Sequence, residues 1–440
     1  MSDAPRTYPD KLEVKPLTKP PVATVRVPGS KSITNRALVL AALSGMDVPL
    51  RLEGALRSED TEVMVNCLRR LGCAIEPLWD ESCILFPFEE RRRIPAESAD
   101  LYVANSGTTM RFLTAMVTAG DGRYRLDGVA RMRERPIQDL LDALNQFAGV
   151  RAYSERGNGC PPIVVETSGL RGGHITVRAD TSSQFLSGLL LVAPFAEDDV
   201  MISVEGPTVS EPYVGMTIEM VRQWGGEVEE FGTNRYLVPA GCVIDNPMNY
   251  QIEPDASAAS YFFAAAAIAG GSVTVDGYIP PHITLQGDIE FLPVLERMGC
   301  TIERDLLWNI AHAGQHLRGI DVDMNAISDT VMTLAAVACF AEGPTTIRNV
   351  AHIRHKETDR LAALATELRR VGAEVDEFAD GLTITPRPLH GAEIETYNDH
   401  RMAMSMALIG LRVPGIAIKN PGCVAKTYPG FWDDLQALYH

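Results

Sequence analysis

The pattern of apolar and polar positions in this chain is periodic on two scales. Residues 37–43 (Ala-Leu-Val-Leu-Ala-Ala-Leu) are apolar on every face of a helix, and a helix apolar all round is buried. The run is entered through Pro28-Gly29, with Ser30 and Ser32 as N-cap candidates, and is stopped by Gly45. Its first turn nevertheless carries Lys31, Asn35 and Arg36. The same design, a polar start running into an all-apolar helix, returns at Asn105, Thr181, Asp255, Ser328 and Asn398, roughly every 75 residues. Between these runs lie amphipathic helices that end at glycine before a β-branched strand start, as in 62–76, 137–152, 214–230, 288–303 and 358–377, with another beginning at Gly430. Short alternating segments, such as Ser272–Asp276 and Gly381–Thr385, read as strands.

The repeating unit is therefore a buried helix, a strand, an amphipathic helix and a strand pair, present six times. Helices apolar on all sides need cover on all sides, so the strands are expected outside and the helices inside. Length supports division: 440 residues exceed what one hydrophobic core usually holds. The expected fold is α/β, with two pseudo-threefold domains of three units each, an inside-out α/β barrel. Residues 29–251 are expected to form the first domain, and residues 1–28 with 252–440 the second. If the two domains face each other, the N-termini of the buried helices converge on one cleft. Their partial positive charges then favour an anionic ligand with more than one anionic group.

Composition changes this picture only at its edges. A formal net charge of −17 argues against general nucleic-acid binding and leaves room for an anionic small substrate where basic residues gather. The eight cysteines, at 67, 73, 83, 160, 242, 300, 339 and 423, show no C-x-x-C spacing and no histidine company, so no metal and no cofactor are expected. Cys73 and Cys300 follow a glycine at helix ends, where core packing is the expected role. The N-terminus lacks a signal core, and Ala256–Gly270 is too short for a membrane span. A cytoplasmic monomer with no membrane or nucleic-acid partner is the expectation.

Chemistry concentrates in three further stretches. Arg131-Met-Arg-Glu-Arg135 places guanidinium forks in a loop. His352-Ile-Arg-His-Lys356-Glu357-Thr-Asp-Arg360 sets a lysine beside a glutamate, a pair suited to proton transfer. Asn398-Asp-His-Arg401 and Lys426 add cations near the end of the chain. Asp329 opens the fifth buried helix, where a cap and a chemical role compete as readings.

The motifs P-G-S-K-S-x-x-x-R at 28–36, N-x-G-T-x-x-R at 105–111, R-M-x-E-R-P-I at 131–137, S-S-Q at 182–184, K-E-T-D-R at 356–360 and Y-N-D-H-R-M-A-M at 397–404 resemble those of the enolpyruvyl transferases. The match runs from about Val25 to Leu435, and its closest branch acts on shikimate 3-phosphate in the route to chorismate and aromatic amino acids. The resemblance implies two domains of three units, with the N-terminal segment joined to the second. It implies that Lys31, Ser32, Arg36, Ser182, Ser183, Gln184, Ser210, Tyr213, Asp329 and Lys356 hold shikimate 3-phosphate. Lys31, Asn105, Gly107, Arg135, Gln184, Arg360, Arg401 and Lys426 would hold phosphoenolpyruvate. Asp329 would be the base on the 5-hydroxyl, and Glu357 would handle the proton at the methylene carbon, with Lys31 also catalytic. Ser106 and Phe112 stand where the family usually has alanine and proline, and His352 where it often has asparagine. The branch acting on a UDP-linked amino sugar usually carries a cysteine before its R-P motif; residues 127–136 contain none. A non-catalytic phosphate sensor on the same scaffold would not need Asp329, Glu357 and Lys31 together. Ligands drawn from both halves imply domain closure on binding.

Overall fold

The computed structural model describes residues 6–44, 48–87, 94–232, 234–241, 247–277, 284–305 and 308–440; Gly45 and Cys242 lie outside them. Six helices follow the all-apolar runs: α1 (Lys31–Leu43), α2 (Gly107–Met116), α3 (Ser183–Val192), α4 (Ala256–Ala269), α5 (Val331–Ala338) and α6 (His400–Gly410). Every residue of α2, α5 and α6 is buried, and the other three are buried but for residues near their ends. Ser30, Ser106, Ser182, Asp255 and Asp399 cap α1, α2, α3, α4 and α6 through their side chains. Of the two serines proposed to start α1, Ser30 caps and Ser32 sits in the first turn. Helix α5 has no side-chain cap. Asp329 lies in the 3-10 turn Ser328–Thr330 ahead of it, and its carboxylate is committed to arginines instead.

The chain divides into two compact units, Ser30–Ile252 and Met1–Gly29 with Glu253–His440. Within the first, α1, α2 and α3 pack on one another. Around them stand three four-stranded sheets of one design, a parallel pair followed by two antiparallel strands. One sheet runs Ser98–Tyr102, Asp121–Asp127, Ile163–Ser168, Val150–Ser154. The others centre on Leu50–Glu53 and Val200–Glu205. Strands alternate with period two: Val200, Ile202 and Val204 are buried while Met201 and Ser203 are partly open. In the second unit α4, α5 and α6 pack together, and among the described residues the sheets have four, four and three strands.

Two sheets take their first strand from a distant part of the chain. Val22–Val25 precedes α1 in sequence but pairs in parallel with Ser272–Asp276. Asn249–Gln251 precedes α4 but pairs in parallel with Leu50–Glu53. The chain crosses between units shortly after each of these strands, at Gly29-Ser30 and at Ile252-Glu253, the first one residue later than expected. The buried helices supply the favourable term. Each core Leu, Ile, Val or Phe contributes about 1.5–3 kcal/mol on burial, enough in aggregate to carry buried charges along with it. Among the described residues, no helix is long and apolar enough to cross a membrane.

Candidate active site

Charged side chains are buried at or beside the starts of these helices in both units, and in the second they form one ionic network. None of the six helices has an acidic residue in its first turn, whereas the amphipathic helix Glu59–Arg70 has Glu59, Asp60 and Glu62 there. The positive ends of α1, α2 and α3, capped by neutral serines, are thus left open to an outside anion, whereas aspartates cap α4 and α6.

In the unit Ser30–Ile252, Arg36 lies at the centre. Its Nε donates to Thr217 Oγ1 (2.8 Å), Nη1 to the Ser32 carbonyl (3.0 Å), and Nη2 to Ser187 Oγ (3.3 Å) and the Tyr213 carbonyl (3.1 Å). The rings of Phe112 and Tyr213 lie 5.0 and 5.9 Å from the guanidinium carbon. Among the described residues no carboxylate pairs with this buried cation, and burial lowers its pKa to about 10. A buried charge without a counter-ion costs several kcal/mol, which stacking on Phe112 only partly offsets. Phe112, the departure from the family's proline, therefore has a visible role as the surface on which Arg36 rests.

Lys31 Nζ is 3.8 Å from Asp60, a neighbour nothing in the spacing announced. Gly107 opens α2 against Arg135: a Cβ there would meet Arg135 Nη2 at 2.5 Å. Arg135 is buried and its Nη1 donates to the Asn105 carbonyl (3.3 Å). Of the arginine-rich loop, only this residue turns inward. Arg131 pairs with Glu134 and Arg133 with Asp127, as surface charges do. Ser182 accepts from the Gln184 amide (3.2 Å), and Gln184 Nε2 donates to Thr108 Oγ1 (3.3 Å). Ser183 is buried beside them. Ser210 takes φ +51° and its carbonyl accepts from the Tyr213 amide (3.1 Å).

In the second unit, Asp329 Oδ1 accepts from Arg360 Nη1 (3.2 Å) and Oδ2 from Arg401 Nη2 (2.6 Å). Arg360 also reaches Glu357 Oε2 (2.8 Å) and Asp399 Oδ2 (2.8 Å), and Lys426 lies 3.7 Å from Glu357 Oε1. Burial works against the charge on Arg360, but Asp399, Glu357 and Asp329 outweigh it and hold the group protonated. The side chain of Asp329 is 16% exposed, against 2% for Arg360 and 0% for Asp399, so the acceptor is the member of this network that faces out. Lys356 is half-buried, and Glu357 pairs with Arg360 and Lys426.

Three members escaped the sequence reading as site residues. Asp399 had a signal, an acid at the N-cap of a buried helix. Asp60 and Asp288 had none. Burial, then the charge of Asp329, raises Asp288 to about 6, and Ser257 donates to it. His352 is buried; burial, then Lys356, lowers it to about 3, so it is neutral. Arg401 Nη1 lies 3.4 Å from the Tyr261 hydroxyl, which burial pushes up to about 12.

Comparison with known proteins finds one family over nearly the whole chain. The family model described as EPSP synthase (3-phosphoshikimate 1-carboxyvinyltransferase) matches residues 17–435. A 3-phosphoshikimate 1-carboxyvinyltransferase of Nostoc punctiforme is 49% identical over 426 residues, 96% of this chain and 98% of the relative. The protein of that name from Proteus mirabilis is 44% identical, covering 95% and 96%. Among solved structures, an EPSP synthase from Acinetobacter baumannii aligns with TM-score 0.79 and 27% identity over 97% of this chain and 98% of that one. The enolpyruvyl transferase NikO from Streptomyces tendae shares the fold, with TM-score 0.74 at 18% identity over 97% and 96%.

Proposed function

This chain belongs to the EPSP synthase family, and on that premise we propose that the buried charged groups of its two units divide the work of moving the enolpyruvyl group of phosphoenolpyruvate to the 5-hydroxyl of shikimate 3-phosphate. Lys31, Ser32, Arg36, Ser182, Ser183, Gln184, Ser210, Tyr213 and Lys356 take shikimate 3-phosphate. Lys31, Asn105, Gly107, Arg135, Gln184, Arg360, Arg401 and Lys426 take phosphoenolpyruvate. The observation that carries this reading is Arg36: a buried guanidinium, its donors ordered by hydroxyls and carbonyls, with no carboxylate partner among the described residues. Its charge is compensated once an anionic substrate arrives, so binding free energy replaces a cost the empty protein bears.

The chemistry is addition followed by elimination. A proton joins the methylene carbon of phosphoenolpyruvate and leaves cationic character on the neighbouring carbon. The 5-hydroxyl oxygen bonds there while Asp329, the outward-facing acceptor, takes its proton. The adduct then loses phosphate and a methyl proton, which restores the double bond. Glu357, held by Arg360 and Lys426, handles the proton at the methyl carbon. The cations are fixed before substrate arrives, so little reorganisation accompanies the charge that develops. Phosphate release on mixing the protein with both substrates tests the reading. Release requires shikimate 3-phosphate; release with a UDP-linked amino sugar in its place would overturn it.

A further inference from the structure

Directly ahead of α6, two consecutive non-glycine residues stand in the left-handed region: Tyr397 and Asn398 both have φ +53°. Side chains resist this conformation, which persists only where the surroundings over-determine it and is concentrated at functional sites. The turn they form leads into Asp399, whose amide donates to the Thr396 carbonyl (2.8 Å). Asp399 has two duties. Its Oδ1 caps α6 at the Arg401 amide (2.9 Å), and its Oδ2 takes Arg360 Nε (2.8 Å).

The turn is stapled to the helix Arg360–Arg370 at two levels. At the helix start, Arg360 binds Asp399. Two turns further on, Glu367 is fully buried, and its carboxylate accepts from the Tyr397 hydroxyl (2.7 Å) and the Glu395 amide (3.1 Å), with Arg370 Nη1 at 3.0 Å. Of the left-handed residues, Tyr397 belongs to the second staple and Asn398 lies between it and Asp399. A third tie runs from Asn420 Nδ2 to Asn398 Oδ1 (3.1 Å), and Asn420 heads the 3-10 turn Pro421–Lys426 that carries Lys426. Partial burial and the bond to Glu367 push the Tyr397 phenol up to about 12, so it remains a donor at neutral pH. A buried carboxylate is costly unless fully bonded, which makes Glu367 a firm anchor for the turn.

Resting on the enolpyruvyl-transfer reading above, we propose that Glu367 and Tyr397 are positioning residues: they pin the left-handed turn so that Asp399 meets Arg360 and α6 presents Arg401 in the arrangement that holds phosphoenolpyruvate. Neither touches the substrate; both act through Asp399.

Tyr397→Phe keeps the ring and removes only the bond to Glu367. Three readouts apply to the full chain: initial rates with both substrates varied, the thermal midpoint, and amide hydrogen exchange over residues 396–401. The expected result is a fall of about tenfold in kcat/KM for phosphoenolpyruvate, the size of a lost hydrogen bond to a charged group. KM for shikimate 3-phosphate stays unchanged, the midpoint stays within about 2 °C of wild type, and exchange is faster in the turn. Glu367→Gln, which keeps volume, shifts the same quantities in the same direction and stands in if the first variant is insoluble. Unchanged exchange overturns the proposal. So do unchanged phosphoenolpyruvate kinetics, or a loss shared by both substrates with a lower midpoint, which would mark a general structural tie. A wild-type protein that turns over no substrate pair would overturn the enolpyruvyl-transfer reading instead, with exchange still deciding whether the pin exists.

Discussion

Gly107→Ala is a small perturbation with a computable consequence. Gly107 opens α2 with an ordinary backbone conformation, so alanine favours the helix there by about 1 kcal/mol. The added Cβ would lie 2.5 Å from Arg135 Nη2 and 3.0 Å from Cζ and Nη1. Ordinary contact between such atoms begins near 3.5 Å, so the guanidinium must retreat by roughly 1 Å. Arg135 is buried and tied to the Asn105 carbonyl, and it leaves its place only by losing that bond. A displacement of about 1 Å at a substrate-holding group costs on the order of a hundredfold, and a lost charge-assisted bond costs about 1.5–3 kcal/mol. The expected outcome is a KM for phosphoenolpyruvate raised about 10–100-fold, with KM for shikimate 3-phosphate within about twofold of wild type and thermal stability equal or modestly lower, because the helix gain offsets only part of the lost bond. Steady-state phosphate release with each substrate varied measures all but the last, which calorimetry supplies. A KM for phosphoenolpyruvate within about twofold of wild type would refute the argument that Arg135 binds this substrate beside Gly107.

Further outcomes follow from the same geometry. Asp329→Asn keeps the shape and removes the base; kcat should fall about 10²–10⁴-fold with KM values little changed, and a rate within about threefold of wild type would remove Asp329 from that role. Arg36→Lys cannot reproduce a fork held by hydroxyls and carbonyls on four sides, so KM for shikimate 3-phosphate should rise about a hundredfold; an unchanged value would make Arg36 purely structural. His352, lowered to about 3, contributes stability fully present above its unfolded value of about 6.5 and lost as pH falls towards 3. Asp288, raised to about 6, works in the opposite sense: its penalty is present above pH 6 and relieved towards pH 4. The difference between His352→Asn and wild type isolates the histidine. In denaturant titrations the variant should gain about 3 kcal/mol relative to wild type between pH 6.5 and pH 4, and a difference independent of pH would mean that His352 is not buried neutral.

The six buried helices were legible because their sequences have no polar face; runs such as Leu-Val-Leu-Ala-Ala-Leu in α1 admit no exposed position. The chemistry-bearing residue types were legible too, through motifs at helix starts. What the sequence could not show is partnership at long range. Arg360 and Asp399 are 39 positions apart, and Arg36 finds Thr217 across 181. Nothing local marks either pair, because their meeting is decided by helix packing. Local patterning also overstated some roles. Three arginines in the 131–135 loop look equivalent in sequence, yet two find carboxylates within seven residues and only Arg135 turns inward. Asp329 looks like a cap and is not one, since Arg360 and Arg401 compete for its carboxylate more strongly than a backbone amide does.

The proposed reaction moves a group between two phosphorylated substrates, and phosphorus NMR of the reacting mixture follows both phosphates at once. The phosphoenolpyruvate resonance should be replaced by inorganic phosphate only when shikimate 3-phosphate is present, while the shikimate phosphate persists as a shifted monoester. Phosphate appearing without the second substrate, or with its resonance unshifted, would show hydrolysis rather than transfer and would rule out enolpyruvyl transfer to shikimate 3-phosphate.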